Sequence, residues 1–356
     1  MIKSRVLKIQ NSLKENEAAL ISSIPNRFYL TGFETSDGFV VITKNYAVFL
    51  VDFRYIEKAK ETISSMEVKQ LEKADKDILS VLEKEKIKSL LVETETLSVA
   101  DFNGYKEAFK NITLSTENLL DKALKDARAV KSEQELEYIK KAQELTDKTF
   151  EYILTKIKVG KTEKEIMLDM EFFMRSLGSE GVSFDFIVVS GKNSSLPHGV
   201  PTNKKIEDGD FLTMDFGAVV NGYRSDMTRT VAIGKVTEEQ KEIYNIVLKA
   251  QTEAIKAVKA GKCCKEIDKV ARDIIYNAGY EGCFGHGLGH SVGIEIHEAP
   301  AFNTRCETIL QEGTIMTVEP GIYIENKYGV RIEDMVYVTK DGSLNLTKSP
   351  KELIIL

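Results

Sequence analysis

Gly160-Lys161-Thr162-Glu163-Lys164-Glu165-Ile166 recurs as Gly261-Lys262-Cys263-Cys264-Lys265-Glu266-Ile267, and further blocks repeat behind it in the same order. His198-Gly199-Val200-Pro201 recurs as His297-Glu298-Ala299-Pro300. The spacing Gly209-x-x-x-Thr213-x-Asp215-x-Gly217 returns as Gly313-x-x-x-Thr317-x-Glu319-x-Gly321, and Arg224-Ser225-Asp226 returns as Arg331-Ile332-Glu333. Only the loops between blocks differ in length. A duplicated unit often packs against its copy about a pseudo-two-fold axis, and equivalent residues then converge near that axis. Here they are two carboxylate pairs and two histidines.

Local signals give each copy the same layout. Ser132 with Glu135, and Thr162 with Glu165, have the spacing of a capping box, in which the hydroxyl accepts from a backbone N–H and the carboxylate reaches back. Leu136, Ile139, Ala142, Leu145, Phe150 and Ile153 then fall near helical spacing, and the helix behind Thr162 is expected to end near Leu177. Helices over 238–260 and 265–277 are expected in the second copy, where Cys263 takes the cap position and is the poorer cap. Strands over 211–215 and 223–233 flank Asn221-Gly222, a two-residue hairpin signal. That turn pairs Val220 with Tyr223, sets Asp226 opposite Gly217, and leaves Asp215 diagonal to Asp226 at roughly 7 Å, within reach of a shared ion. In the second copy Glu319 ends a strand over 314–318, and Glu333 is expected on a strand over 330–338 after a turn at 326–329. Helix, helix, hairpin is an α+β layout with helices covering a sheet.

The chain has 356 residues, long for one core, and its hydrophobic share of 42% and charged share of 29% are globular values. A net charge of −6 argues against nucleic-acid or membrane-surface partners, which call for a basic face. No apolar run nears the roughly 20 residues of a membrane span. Residues 1–14 are charged and amphipathic, with no signal-peptide core. Cys263, Cys264, Cys283 and Cys306 have no framework spacing and read as reduced thiols of a cytoplasmic protein. Of the 23 glycines, only Gly32, Gly38 and Gly104 precede residue 160. Residues 1–125 therefore read as an α/β domain, with strands over 40–42, 47–51, 68–71, 90–92 and 112–114 and helices over 53–62, 76–84 and 99–109. They contain no His and no Cys. Residues 126–356 carry both copies.

If the copies face each other, Asp215, Asp226, Glu319 and Glu333 meet. Like charges at short range raise one another's pKa and destabilise the fold unless something neutralises them. Arg224 and Arg229 are the nearest cations in sequence to the first pair, and a salt-bridged hairpin is the plain alternative there. Two divalent cations would neutralise all four, and oxygen donors with one imidazole suit Mn²⁺, Co²⁺ or Zn²⁺. The four histidines, His198, His286, His290 and His297, all lie in the repeated region. Gly285-His286-Gly287-Leu288-Gly289-His290 lets backbone come close to whatever the imidazoles hold. His290 aligns with Gly191, so two metal positions would be inequivalent. Asp215-Phe216-Gly217 spells a kinase magnesium motif but has no phosphate loop with it, and no zincin helix or nucleophile elbow is present.

These residues closely resemble the M24 metallopeptidases, on the M24B branch of Xaa-Pro aminopeptidases and prolidases. The run from His286 through His290 to His297-Glu298 matches the proline-peptidase signature throughout, and Asn26-Arg27-Phe28-Tyr29-Leu30-Thr31-Gly32 resembles the creatinase-type N-terminal domain. The resemblance implies a pita-bread catalytic domain. It also implies Asp215, Asp226, His290, Glu319 and Glu333 as ligands of two metal ions, with Asp226 and Glu333 bridging. It gives His198 and His297 the orientation of substrate and stabilisation of the tetrahedral intermediate, and Glu319 the carriage of a proton. His286, Tyr323 and Arg331 match positions behind the ligands or beside the substrate's proline. The expected function is hydrolysis of the Xaa-Pro bond at the N-terminus of peptides, an Xaa-Pro aminopeptidase loaded with manganese first, or cobalt or zinc, and assembled as a homodimer. The alternatives are an Xaa-Pro dipeptidase and a non-enzymatic binding protein on the same fold. Methionine aminopeptidases share the ligands but usually lack the N-terminal domain, and creatinase lacks the ligands.

Overall fold

Apolar residues between Glu17 and Leu114 close into one sheet. The computed structural model describes residues 2–356, which form two compact units that divide between Arg128 and Ala129. The first unit runs α1 (Ile2–Ser12), β1 (Glu17–Ile21), α2 (Ile24–Thr31), β2 (Phe39–Thr43), β3 (Ala47–Val51), α3 (Ile56–Thr62), β4 (Glu67–Gln70), α4 (Ala74–Lys84), β5 (Ser89–Val92), α5 (Val99–Ala108), β6 (Thr113–Leu114) and α6 (Leu119–Ala129). Its sheet has the order β4-β3-β2-β1-β5-β6, with β1 antiparallel to β2 and parallel to β5. Helix α3 begins at Ile56 rather than 53, because Asp52 first accepts from Tyr55 and Ile56 in a turn. Strand β1 escapes a reading by alternation because its central residues are buried on both faces. Helix α2 opens on Pro25 and closes on Gly32, whose φ of +68° is the left-handed cap conformation.

The second unit runs α7 (Glu133–Leu154), α8 (Glu163–Ser176), β7 (Ile187–Ser190), a 3₁₀ turn (Gly191–Ser195), β8 (Phe211–Phe216), β9 (Val219–Val220), β10 (Tyr223–Arg224) and β11 (Met227–Ala232). The second copy follows as α9 (Glu238–Ala257), α10 (Cys264–Asn277), β12 (Gly289–Ser291), β13 (Glu298–Phe302), β14 (Ile315–Val318), β15 (Gly321–Ile324), β16 (Tyr328–Arg331) and β17 (Asp334–Val338), then β18 (Ser343–Asn345). Both capping boxes form, at Ser132 and Thr162, and a third forms at Thr237 with Gln240. Cys263 caps α10 without any side-chain bond to its N–H groups. Each copy has its own core. Ile153, Ile166 and Met170 of α7 and α8 pack on Val188, Leu212 and Met214, while Val247, Ile267 and Ala271 of α9 and α10 pack on Met316, Val318 and Val336.

The hairpins keep register across a break. Val220 pairs with Tyr223 and Asp215 with Thr228, which puts Asp226 opposite Gly217. Between them the ladder opens. A Cβ on Gly217 would lie 1.8 Å from the Ser225 carbonyl oxygen, so only glycine lets the strands approach there. The strand expected over 330–338 is likewise broken, and Glu333 sits in the gap between β16 and β17 rather than on a continuous strand. The reason is tertiary: Glu333 N–H donates to Thr228 O of the other copy at 3.1 Å. No helix among the described residues is long and apolar enough to cross a membrane.

The caps make a pair of opposite predictions. Thr237→Ala removes the hydroxyl that accepts from Gln240 N–H and should cost about 1 kcal/mol. Cys263→Ser supplies a cap that α10 lacks and should add about 0.5 kcal/mol. Thermal melting should shift by roughly 2–4 °C per kcal/mol for a unit of this size. Shifts of the same sign in both variants would contradict the cap assignment.

Candidate metal centre

Strand alternation aims the carboxylates. On β8, Leu212, Met214 and Phe216 enter the core of the first copy, which turns Thr213 and Asp215 to the opposite face. On β14, Met316 and Val318 enter the second core, and Thr317 and then Glu319, one step past the strand, turn away from it. Asp226 and Glu333 occupy the two ladder breaks. The hairpins are not superposable copies, however. The first closes on the two residues 221–222, and the second on the three residues 325–327 between Ile324 and Tyr328. Continuing the Val318–Asp334 pairing by one step sets Glu319 directly opposite Glu333, whereas Asp215 and Asp226 are diagonal.

All the sequence-derived site residues except Tyr323 line one cleft of about 940 Å³. Asp226, His290 and Glu333 each present a donor atom within 4.8 Å of the others. His290 Nε2 lies 3.6 Å from Asp226 Oδ2 and 3.3 Å from Glu319 Oε1. Its Nδ1 faces the Ser291 carbonyl at 3.1 Å, so the proton belongs there and the Nε2 lone pair points at the carboxylates. Asp215 joins from the side, with Oδ2 accepting from Arg331 Nη2 at 2.7 Å. The cation on Asp215 is thus Arg331, from the other copy. Arg224 turns to the carbonyls of Ile294 and Ser183, and Arg229 bonds Asp334 at 2.7 Å.

Tyr323 stands behind this wall. Arg331 Nη1 donates to Tyr323 OH at 2.8 Å, and that hydroxyl donates to His286 Nε2 at 2.9 Å, while His286 Nδ1 donates to Gly287 O at 2.8 Å. Burial, with Arg331 adding to it, lowers His286 to about 4 and keeps it neutral. His297 packs edge-on to His290 with ring centres 4.4 Å apart. Burial and then the nearby His198 push the His297 pKa down, against the opposing pull of Asp215. His198 is exposed on the loop that follows the 3₁₀ turn. Phe184, Phe186, Pro197, Ile296 and Phe302 add apolar surface to the cleft, which Lys164, Glu171, Asp185, Asn303 and Arg305 also border.

The cluster is not at rest as bare protein. Asp215 Oδ1, Asp226 Oδ1 and Glu333 Oε1 are buried and accept no hydrogen bond. Burial first, and then the neighbouring carboxylates, drive Asp226 and Glu333 well above the usual carboxylate range. Burial lifts Glu319 to about 8, against the opposing pull of Arg331. A buried charge without a partner is costly, and here three lone-pair-bearing oxygens and an imidazole nitrogen face one space. Divalent cations fit that space: they satisfy the oxygens and cancel the repulsion. The donor set contains no thiolate, which suits a hard or borderline ion.

Chelation should therefore destabilise the second unit. Metal at 100 to 1,000 times its Kd should stabilise by about 3–4 kcal/mol, read as a melting shift that added divalent ion restores. Asp226→Asn and Glu333→Gln should both lose bound metal in elemental analysis. Wild-type metal content in either variant would exclude that residue as a ligand.

Comparison with known proteins agrees with this geometry along the whole chain. Residues 137–340 match the profile of Metallopeptidase family M24, and residues 5–130 match the Creatinase/Prolidase N-terminal domain. The Xaa-Pro dipeptidase of Pyrococcus horikoshii is 40% identical over 357 residues, 99% of each chain. The solved Xaa-Pro dipeptidase from Bacillus anthracis is 40% identical with a TM-score of 0.96 over 100% of both chains. The X-Pro aminopeptidase from Thermotoga maritima is 38% identical with a TM-score of 0.90, covering 98% of this chain and 100% of that one. M24 peptidases are hydrolases that use divalent metal ions, and their catalytic fold is the pita-bread fold laid out above. This chain belongs to metallopeptidase family M24, with a creatinase/prolidase-type N-terminal domain ahead of the catalytic one.

Proposed function

We propose that this enzyme is an Xaa-Pro dipeptidase, a prolidase that cleaves the bond before proline in dipeptides. The carrying observation is the set of buried, unpartnered carboxylate oxygens gathered with His290 in a cleft whose rim presents His198 and His297. The sequence favoured an aminopeptidase over a dipeptidase. The names borne by the Pyrococcus and Bacillus relatives weigh toward the dipeptidase, and that of the Thermotoga structure keeps the aminopeptidase as the second reading. Manganese is the proposed ion, with cobalt or zinc as alternatives, and the proposed assembly is a homodimer.

Asp215, Asp226, His290, Glu319 and Glu333 would hold two ions. Such ions supply Lewis acidity to the scissile carbonyl and to water. The chain's own residues do the rest. His290, its proton fixed on Nδ1, leaves Nε2 free as a donor. His297 and His198 would donate to the oxygen that gains charge as the carbonyl becomes tetrahedral. A Glu319 carboxylate oxygen would take the proton of the attacking water and pass it to the proline nitrogen, which carries no N–H of its own to satisfy. Arg331 holds Asp215 in place and, through Tyr323, keeps His286 oriented. The apolar walls at Phe184, Phe186 and Phe302 would exclude water around the reacting groups.

The decisive measurement is a ladder of Xaa-Pro, Xaa-Pro-Yaa and Xaa-Pro-Yaa-Zaa substrates on the metal-loaded protein. The highest kcat/KM should fall on the dipeptide. A rising value with length would favour the aminopeptidase, and turnover only of bonds not followed by proline would end both readings. His297→Ala should lower kcat/KM by on the order of 10²-fold while metal content stays at the wild-type level.

A further inference from the structure

Glu163 is a fully buried carboxylate with no part in the chemistry above. It is the first residue of α8 and belongs to the repeated block that opens each copy. In the second copy its equivalent is Cys264, also buried. The two copies differ here in what they must hold. Glu163 Oε1 accepts from Ser190 N–H at 2.7 Å, Ser190 Oγ at 3.0 Å and Asn193 Nδ2 at 3.1 Å. Its Oε2 accepts from Thr202 N–H at 2.9 Å and Thr202 Oγ1 at 2.6 Å. These donors sit at the two ends and near the start of the segment 190–202, which presents His198 to the cleft. Between them, Gly199 packs on Val189, where an added Cβ would lie only 2.8 Å from Val189 Cγ1.

The geometry points to Glu163 as a positioning residue for His198: one buried carboxylate ties both ends of the His198 segment to the start of α8. This rests on the proposed role of His198. An exposed loop does not by itself hold an imidazole where charge develops, and a displacement near 1 Å can cost roughly 10²-fold in rate. Every donor on Glu163 comes from this segment or its flanks, so the carboxylate closes the loop as a clamp does. The second copy meets the same need differently. There Asp268 accepts from Leu288 N–H at 3.0 Å and pairs with Arg272, whose Nη atoms donate to the carbonyls of Phe284 and His286. The first-copy equivalent of Asp268 is Met167. Each copy thus steadies its own histidine-bearing loop from the helix behind it, with the carboxylate on a different helical position.

Glu163→Gln tests this, because the amide brings a donor to a place where only donors wait. On metal-loaded protein, kcat/KM for an Xaa-Pro dipeptide should fall about 10- to 100-fold with metal content unchanged. In a His198→Ala background the same change should lower it less than about two-fold, the signature of one residue acting through the other. Thr202→Val, which removes a single donor, should show the same coupling at smaller size and serves if Glu163→Gln does not fold. Losses that multiply in the double variant, or metal lost in step with activity, would overturn the inference. Hydrogen exchange separates this from failure of the proposed function. Faster exchange of the 190–202 amides, with β8 and β11 unchanged, supports the clamp even in a protein that cleaves no Xaa-Pro bond. Unaltered exchange in Glu163→Gln would overturn it.

Discussion

Carboxylates cannot share a buried cleft without positive charge, and the catalytic unit is arranged around that constraint. Asp215, Asp226 and Glu333 are nearly inaccessible, and each leaves an oxygen without a hydrogen bond. Such a cluster is a cost to folding that a packed apolar core would not carry. Arg331 covers one oxygen of Asp215, Thr228 donates to Glu333 Oε2 at 2.7 Å, and Thr317 donates to Glu319 Oε1 at 3.2 Å. These contacts orient the carboxylates but leave the inner oxygens open. The open lone pairs all face one space, which is how protein is organised around a cation rather than against itself.

The two copies are bonded to each other where they meet at the centre. Thr230 Oγ1 donates to Arg331 O at 3.0 Å and accepts from Arg331 N–H at 3.2 Å. Beside it, Arg229 of the first copy pairs with Asp334 of the second, both buried, and also donates to the carbonyls of Thr228, Glu333, Ser349 and Pro350. Burial works against the Asp334 charge, but Arg229 and Lys351 hold its pKa down at about 2. With its donors used, this pair carries little of the penalty of a lone buried ion. It fixes β11 against β17, and so fixes the distance between Asp226 and Glu333, which flank those strands.

Duplication supplied the frame, and departures from it supplied the site. Arg224 and Arg331 are equivalent in sequence, yet the first braces a loop while the second reaches Asp215 and Tyr323. Glu163 has Cys264 as its counterpart and Asp268 has Met167. Glu333 lies two residues further along its returning arm, counted from the turn, than Asp226 does, so the second pair of carboxylates stands opposite rather than diagonal. A symmetric pair of hairpins would offer two like half-sites. The asymmetry gives one imidazole, on one side, to a set of four carboxylates.

The sequence by itself determined the elements and the residues that carry charge, because those follow from local rules. The capping boxes at Ser132 and Thr162 and the Asn221-Gly222 turn set helix starts and strand register through neighbours a few residues away. The register in turn put Asp215 and Asp226 on neighbouring positions. Other features had no local signal. Strand β1 is buried on both faces and shows no alternation, and the break at Glu333 exists because its N–H bonds a strand of the other copy. Arg331 rather than Arg224 or Arg229 guards Asp215, a choice between similar side chains that only the crossing of the two copies makes. The clamp at Glu163 spans 39 residues to Thr202 and was invisible for the same reason. Short-range hydrogen bonding and periodicity are written in adjacent residues. The partner of a buried charge is set by which surfaces meet, and that was decided only when the chain folded.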